Sequence, residues 1–154
     1  MLTTHKISPE LYFETFELLA IHTALEDYAM AYALNAHLKL RLCRPGQDMT
    51  LSDSVSFSLF EWMDEMSDTQ WTLFNNQTKQ EQNGLLGGLF DNDSAMGIKY
   101  LVNERKEVDY FLKIQSDDLR LAQQSVSQIN KIPEVITAYV IDVETLQSRK
   151  NLIM

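Results

Sequence analysis

Cysteine is almost absent from this chain of 154 residues. The single Cys43 excludes an internal disulfide and any metal centre built from a cysteine cluster. No apolar run approaches the roughly 20 residues that a membrane-spanning helix needs. The N-terminal sequence also lacks the basic stretch followed by an apolar stretch that begins a signal peptide. We therefore expect a cytoplasmic protein and no membrane association.

Cationic residues are scarce as well. Thirteen Lys and Arg stand against 22 Asp and Glu, which gives a formal net charge of −9. An acidic surface repels phosphate groups, so binding to nucleic acid is not expected. The apolar fraction of 45% and the charged fraction of 23% are those of an ordinary globular protein, which excludes wholesale disorder. The length predicts a single domain over residues 1–154.

The chain also lacks the common nucleotide-binding and hydrolase motifs, because it has no G-x-x-x-x-G-K-[ST], G-x-G-x-x-G or G-x-S-x-G sequence. His22 and Glu26 would face one metal ion only if both lay in one helix, and zinc or iron needs three or four ligands. Cys43 lies close to two arginines, which favour a thiolate, but no nearby histidine supplies a base. We expect no metal, no cofactor and no catalytic residue, and an enzymatic function is not favoured.

Two further groups of residues favour structural interpretations over chemical ones. Asp64, Glu65 and Asp68 crowd a predicted turn and lack the spacing of a calcium-binding loop. Trp62 and Trp71 lie at alternating positions, where sheet packing is more common than a platform for stacking a ligand.

The first half of the chain predicts a strand followed by a helix. The sequence from Thr23 to Glu26 has the pattern of a capping box, which predicts a helix beginning there. Apolar residues then recur at helical spacing, at Leu25, Tyr28, Ala29, Tyr32, Ala36 and Leu40. Before the box, Ser8-Pro9-Glu10 resembles a helix start, whereas Phe16–Ile21 resembles a buried strand. We favour a strand over residues 14–22, since a second cap would serve no purpose inside one helix.

The second half predicts more strands and one more helix. Alternating apolar residues predict strands at 55–59 and 71–73, and a hairpin made of 100–102 and 108–114. Ser116 is predicted to cap a helix that ends before Pro133, with its buried stripe at Leu119, Ala122, Val126 and Ile129. Residues 135–141 are rich in β-branched side chains and predict another strand.

Glycine is concentrated in one segment, since four of the five glycines lie within residues 77–97. This segment also contains an apolar stretch, Leu85–Phe90. We favour a short strand, or a loop that places these leucines in the core, over a mobile flap or a partner-docking loop.

Together these patterns predict an α+β fold: a mostly antiparallel sheet with two helices packed on one face. The succession of strand, helix and strand over residues 108–141 is typical of a parallel crossover. A similar unit is expected in the first half, built on the helix after Thr23. An elaborated split-βαβ, or ferredoxin-like, arrangement fits this order of elements.

One group of residues resembles a family signature. Val102-Asn103-Glu104, followed after three residues by Val108-Asp109-Tyr110, is similar to the pattern that names the IPExxxVDY family of small bacterial proteins. Val102 replaces the Ile of that pattern and Asn103 replaces the Pro. The blocks at 19–35 and 146–154 also resemble the family, so the likeness covers essentially the whole chain. The resemblance implies no assigned activity or ligand. Because the quoted residues span the predicted hairpin, we expect a structural role in which Asp109 binds the amides of the turn and Tyr110 fills the core.

We expect a non-enzymatic module that binds another protein or associates with itself. The lack of a catalytic constellation supports this, as does the apolar end Leu152-Ile153-Met154, which must dock on its own domain or on a partner. The alternative is a small-molecule-binding domain or an enzyme with a pocket between sheet and helices. That alternative requires Asp109, Glu104 or His22 to converge in one cleft.

Overall fold

The computed structural model describes residues 15–52, 55–79 and 98–153, and within them the chain forms a layered α+β fold. The elements in chain order are β1 (Glu17–Thr23), α1 (Asp27–Leu38), β2 (Met49–Ser52), β3 (Val55–Phe57), β4 (Leu59–Asp64), β5 (Thr69–Asn75), β6 (Gln77–Lys79), β7 (Ile98–Tyr100), β8 (Tyr110–Gln115), α2 (Leu121–Ile129) and β9 (Val135–Ile141).

The main sheet has five strands in the order β4-β5-β8-β1-β9, and every neighbouring pair is antiparallel. Both helices contribute to the same core cluster as one face of this sheet. The predicted fold class, a mostly antiparallel sheet with two helices on one face, is therefore confirmed. Two short antiparallel pairs, β2–β3 and β6–β7, lie outside the main sheet.

The central strands are buried on both faces, because the helices pack on one face of the sheet and a second hydrophobic cluster packs on the other. Leu19 and Ile21 of β1 pack with the helices, whereas Leu18 and Ala20 belong to a second cluster. That second cluster includes residues of β2 and β3 and of the connection from β7 to β8. It also includes residues from the segment after β9, residues 142–153, which we call the C-terminal segment. Because side chains alternate between the two faces of a strand, β1 contributes to both hydrophobic clusters.

The predicted crossover is present in the second half of the chain. β8 and β9 are each antiparallel to β1, which lies between them, so they run in the same direction with α2 connecting them. This is a split β-α-β unit. The similar unit expected in the first half is wrong, because β4, the first strand of the main sheet after α1, runs antiparallel to β1.

Both predicted helix caps are wrong. The hydroxyls of Thr23 and Ser116 each accept from the amide two residues further on, but neither helix begins there. Thr23 ends β1, and its Oγ1 donates to the carbonyl of Glu134 at 2.8 Å, while α1 begins only at Asp27. Ser116 Oγ accepts from the amide of Asp118 at 3.1 Å, five residues before α2 begins. Leu119, which was predicted to be buried, therefore precedes α2 and is 83% exposed.

The predicted strand at 14–22 is confirmed as β1, and the strand around 71–73 is confirmed as β5. The predicted strand at 55–59 is interrupted at Ser58, since β3 pairs with β2 and β4 pairs with β5. The predicted hairpin of 100–102 with 108–114 is wrong. β7 pairs with β6, and both edges of β8 are already occupied by β1 and β5.

Three predictions fall outside the described residues: the alternative helix start at Ser8–Glu10, the apolar stretch Leu85–Phe90, and the last residue, Met154. Of the helices in the described part of the chain, none is long and apolar enough to cross a membrane.

Candidate functional site

The residues that resemble the family pattern lie between the end of β7 and the first residue of β8. They are Val102, Asn103, Glu104, Val108, Asp109 and Tyr110. We call residues 101–110 the signature segment. The two valines are fully buried on the face of the sheet away from the helices. The Asn-Glu pair is exposed in a one-turn 3-10 helix, and the Asp-Tyr pair leads into β8. The signature therefore describes one structural unit, the segment that enters the central strand.

A buried amide holds this segment in place. Asn76 is completely buried, and its Nδ2 donates to the carbonyls of Arg105 at 2.8 Å and Val108 at 2.9 Å. Its Oδ1 accepts from the amide of Val102 at 2.9 Å. Its own backbone N–H and C=O bond to two further residues of the same segment. Asn76 thus fixes the path of the signature segment.

The Asp-Tyr pair ties the signature segment to the connection between β1 and α1. Asp109 Oδ2 accepts from the amide of Thr23 at 2.9 Å, and the hydroxyl of Tyr110 donates to the carbonyl of Leu25 at 2.7 Å. Burial, together with the nearby carboxylates of Asp27, Asp109 and Glu26, raises the pKa of Tyr110 above its ordinary value. The hydroxyl therefore keeps its proton and acts as a hydrogen-bond donor.

Glu104 binds the C-terminal segment. Its Oε1 accepts from the backbone amide of Ser148 and its Oε2 from the Ser148 hydroxyl, each at 2.6 Å. Desolvation acts to raise the pKa of Glu104, but hydrogen bonds from Ser148 and from the backbone of Glu104 and Gln147 together outweigh it, so the pKa is lowered. The carboxylate is therefore a structural acceptor that favours its ionised form.

Replacing Glu104 with glutamine is expected to lower the stability at neutral pH, because a neutral amide is a weaker acceptor for the two Ser148 donors. The folded-state pKa of Glu104 lies below its unfolded value, so its contribution is complete above the unfolded pKa and is lost as the pH falls through the folded one. Denaturant unfolding at several pH values checks this. The gap between wild type and Glu104→Gln should narrow on acidification, and a gap that is constant with pH would contradict the assignment.

A cavity of about 720 Å³ lies beside the Asp-Tyr pair, at the end of the sheet where β1 stops. Four carboxylates line it: Glu26, Asp27, Asp48 and Asp109. Within the described residues, no group of three or more His, Cys, Asp or Glu side chains is placed to hold a metal ion. The four carboxylates make the cavity acidic, and at its wall the hydroxyl of Tyr110 donates to the carbonyl of Leu25.

The side chains that an enzymatic site needed together do not converge. Asp109 lines the acidic cavity, whereas Glu104 and His22 are not among its described lining residues. Glu104 is bound to Ser148, and His22 Nε2 lies 2.9 Å from the hydroxyl of Tyr139, with the two rings stacked. The enzyme alternative thus loses the constellation on which it depended.

The remaining candidates have structural surroundings. Cys43 is exposed, and its Sγ lies 3.5 Å from the carbonyl of Glu61. Asp64 closes the predicted turn, where its carboxylate accepts from the Met66 amide and the Ser67 hydroxyl. Trp71 is buried in the core beneath the helices, and Trp62 is its cross-strand partner.

The apolar stripe that the sequence displays along α1 faces outward. Tyr28 is 65% and Tyr32 is 76% exposed, and Ala36 is exposed one turn further on. A different stripe, made of Met30, Ala31 and Leu34, is buried against the sheet. We call Tyr28, Ala29, Tyr32 and Ala36 the α1 outer face. In front of it lies a cavity of about 520 Å³ with largely apolar walls.

The chain was compared with protein-family models, with curated proteins and with solved structures. None of them matches it. The likeness to the IPExxxVDY family accordingly stays a prediction that rests on the quoted residues.

Sequence reasoning missed two features of this region. Asn76 directly follows β5, and nothing in the local sequence distinguishes it from Asn75. The α1 outer face was visible as a periodic stripe, but its outward orientation was not. The available signal was that α1 is apolar on nearly every side, since Asp27 and His37 are its only charged or imidazole side chains. One sheet can cover only one side of such a helix, so an apolar side must remain outside.

Proposed function

We propose that this protein is a non-enzymatic interaction module that binds a protein partner, or a second copy of itself, through the α1 outer face. The observation that carries the proposal is the apolar character of α1 on both sides. A surface helix normally presents polar residues to water, and a helix that is apolar all round is normally buried. The side that faces the sheet is buried by the domain itself, so the other side is the one available to a partner.

The composition of the α1 outer face suits protein binding. Tyrosine is enriched at interfaces because its ring buries a large area while its hydroxyl retains a polar partner. Tyr28 and Tyr32 supply two such rings one turn apart, and the adjacent cavity offers a concave, largely apolar surface. Charged residues, which are depleted at interface centres, do not occur within the stripe.

The C-terminal residues do not share this role. Leu152 is completely buried in the core on the face away from the helices, and Ile153 packs partly against the same cluster. The carbonyl of Leu152 accepts from the ammonium of Lys113 at 2.7 Å. Of the apolar end, the described residues Leu152 and Ile153 dock on their own domain, so we propose the interface at α1.

The double variant Tyr28→Ser, Tyr32→Ser tests the proposal. We expect it to lose the proteins that the wild-type chain retains in affinity purification from its native host, including a differently tagged copy of itself. Two matched controls change exposed apolar residues elsewhere: Leu119→Ser and Ile136→Ser, at positions 83% and 78% exposed. Both should retain the wild-type set. Undiminished retention by the double variant would overturn the proposal.

A further inference from the structure

We propose that two asparagine side chains close the outer edges of the main sheet against strand pairing with a second copy of the chain: Asn130 at β9 and Asn35 at β4. These two strands are the ends of the sheet in the order β4-β5-β8-β1-β9. The outer edge of an end strand presents backbone N–H and C=O groups that can pair with a strand of another chain. The inference is independent of the proposed function, because neither asparagine belongs to the α1 outer face.

At the β9 edge, the side chain of Asn130 takes the place of a neighbouring strand. Its Nδ2 donates to the carbonyl of Ala138 at 2.9 Å, and its Oδ1 accepts from the amide of Ala138 at 2.8 Å. An antiparallel strand forms the same pair of bonds, one to the N–H and one to the C=O of a single residue. Asn130 is itself exposed, so this contact lies at the surface that a second chain would approach.

The composition of β9 shows why its edge needs to be closed. The strand has seven residues, Val135–Ile141, and most of them are β-branched or aromatic. None of them is charged or a proline, and Ile136 is 78% exposed. A segment of this length and composition is the kind that pairs with identical segments of other chains. Ala138 is its central residue, so the asparagine contact interrupts the edge at the middle of the strand.

The β4 edge is closed in two steps. The amide of Cys43 donates to the carbonyl of Glu61 in β4 at 3.0 Å, and the amide of Glu61 donates to the carbonyl of Cys43 at 2.9 Å. The preceding residue, Leu42, bonds in the same way to Asn35. Its amide donates to Oδ1 at 2.8 Å, and its carbonyl accepts from Nδ2 at 3.0 Å. Asn35 thus fixes the short segment that covers β4.

The two asparagines have equivalent places in the chain. Asn35 lies near the end of α1, and Asn130 directly follows α2. Each binds both backbone groups of one residue that lies seven or eight positions further on. A side-chain amide suits this contact because it carries an N–H donor and a carbonyl acceptor on one planar group, as a peptide does. The chain therefore uses one kind of contact to protect both edges.

Hydrogen exchange tests the contact at single residues, below the concentration at which any variant associates. In Asn130→Ala, the amide of Ala138 should exchange roughly tenfold faster, because it loses its acceptor. Leu112 in the central strand β8 should keep its wild-type rate. Asn35→Ala should accelerate exchange at Glu61 in the same selective way. An unchanged rate at Ala138, or equal acceleration at Leu112, would contradict a local closure of the edge.

Sedimentation velocity over a range of concentrations tests the consequence. Asn130→Ala should form larger species at concentrations where the wild type does not, because the middle of the β9 edge is then open. Asn151→Ala is the matched control, since it removes a side-chain bond to the carbonyl of Leu101 that lies at neither edge. This control should sediment as the wild type does. An Asn130→Ala chain that also follows the wild type would overturn the inference.

A second substitution separates pairing at the edge from a general loss of stability. Adding Ile136→Lys to Asn130→Ala should restore wild-type sedimentation, because a lysine on an exposed edge strand opposes pairing between copies. Adding Tyr28→Ser and Tyr32→Ser should not, since these residues belong to a different surface. If the lysine leaves the larger species in place, or the two serines abolish them, β9 is not the associating edge and the inference is wrong.

Discussion

Replacing Asn76 with aspartate is expected to lower the free energy of unfolding by roughly 3–5 kcal/mol, because it places a carboxylate where two carbonyl groups need a donor. Asn76 is completely buried, and its Nδ2 bonds to the carbonyls of Arg105 and Val108. An ionised aspartate loses both bonds and sets a negative charge against two carbonyl oxygens. Burial raises the pKa of such a carboxyl group, so the deficit should shrink on acidification, when the group is neutral.

The exposed Asn103 supplies a matched control, because it lies in the segment that Asn76 holds and Asn103→Asp makes the same chemical change in contact with water. Asn103→Asp should therefore stay within about 0.5 kcal/mol of the wild type. Urea unfolding followed by circular dichroism measures both variants. Equal midpoints for the two would show that the buried amide does not fix the signature segment.

The signature residues are explained by what they hold in place. Through the contacts of Asn76, Asp109 and Glu104, the segment before β8 binds the end of β5, the end of β1 and the C-terminal segment. These partners are far apart in sequence, and Thr23 lies 86 residues from Asp109. These contacts hold parts of the fold together that are distant in the sequence.

The sequence could predict elements whose signal is local. β1, β8 and β9 are neighbouring strands of the main sheet and are rich in apolar or β-branched residues. This composition can be recognised in the sequence without knowledge of the fold. The caps were predicted wrongly because a local pattern of capping residues does not fix where a helix begins. Thr23 accepts from the amide of Leu25 as an N-cap residue would, yet it ends β1, and its hydroxyl donates to the carbonyl of Glu134, which is 111 residues away.

The candidate site was partly predictable for the same reason. Tyr110 was expected to fill the core and is buried there, whereas Asp109 was expected to bind the amides of its own turn. The amide that Asp109 binds belongs to Thr23 and not to its own turn, which only the packing of β8 beside β1 determines. The orientation of α1 likewise depends on the sheet, because Met30 and Leu34 compete with Tyr28 and Tyr32 for the inward side.

Replacing Leu152 with alanine is expected to destabilise the protein by about 2–5 kcal/mol, the usual range for a buried leucine. Leu152 is completely buried in the core on the face away from the helices, so truncation leaves a cavity. The exposed Lys150 supplies the control, since Lys150→Ala should stay within about 0.5 kcal/mol of the wild type. Thermal and denaturant unfolding compare the two, and equal stability would contradict the burial.

The buried Leu152 and the exposed α1 outer face should have separable effects in experiment. Leu152→Ala should lower stability yet leave the set of proteins retained in affinity purification unchanged under conditions where the variant is folded. Tyr32→Ser should do the reverse, because Tyr32 is 76% exposed and contributes little to the core. If Leu152→Ala weakened association in the folded protein as strongly as Tyr32→Ser does, the C-terminal segment would belong to the interface after all. If only Leu152→Ala lowers stability and only Tyr32→Ser weakens association, Leu152 contributes to folding and the α1 outer face to binding.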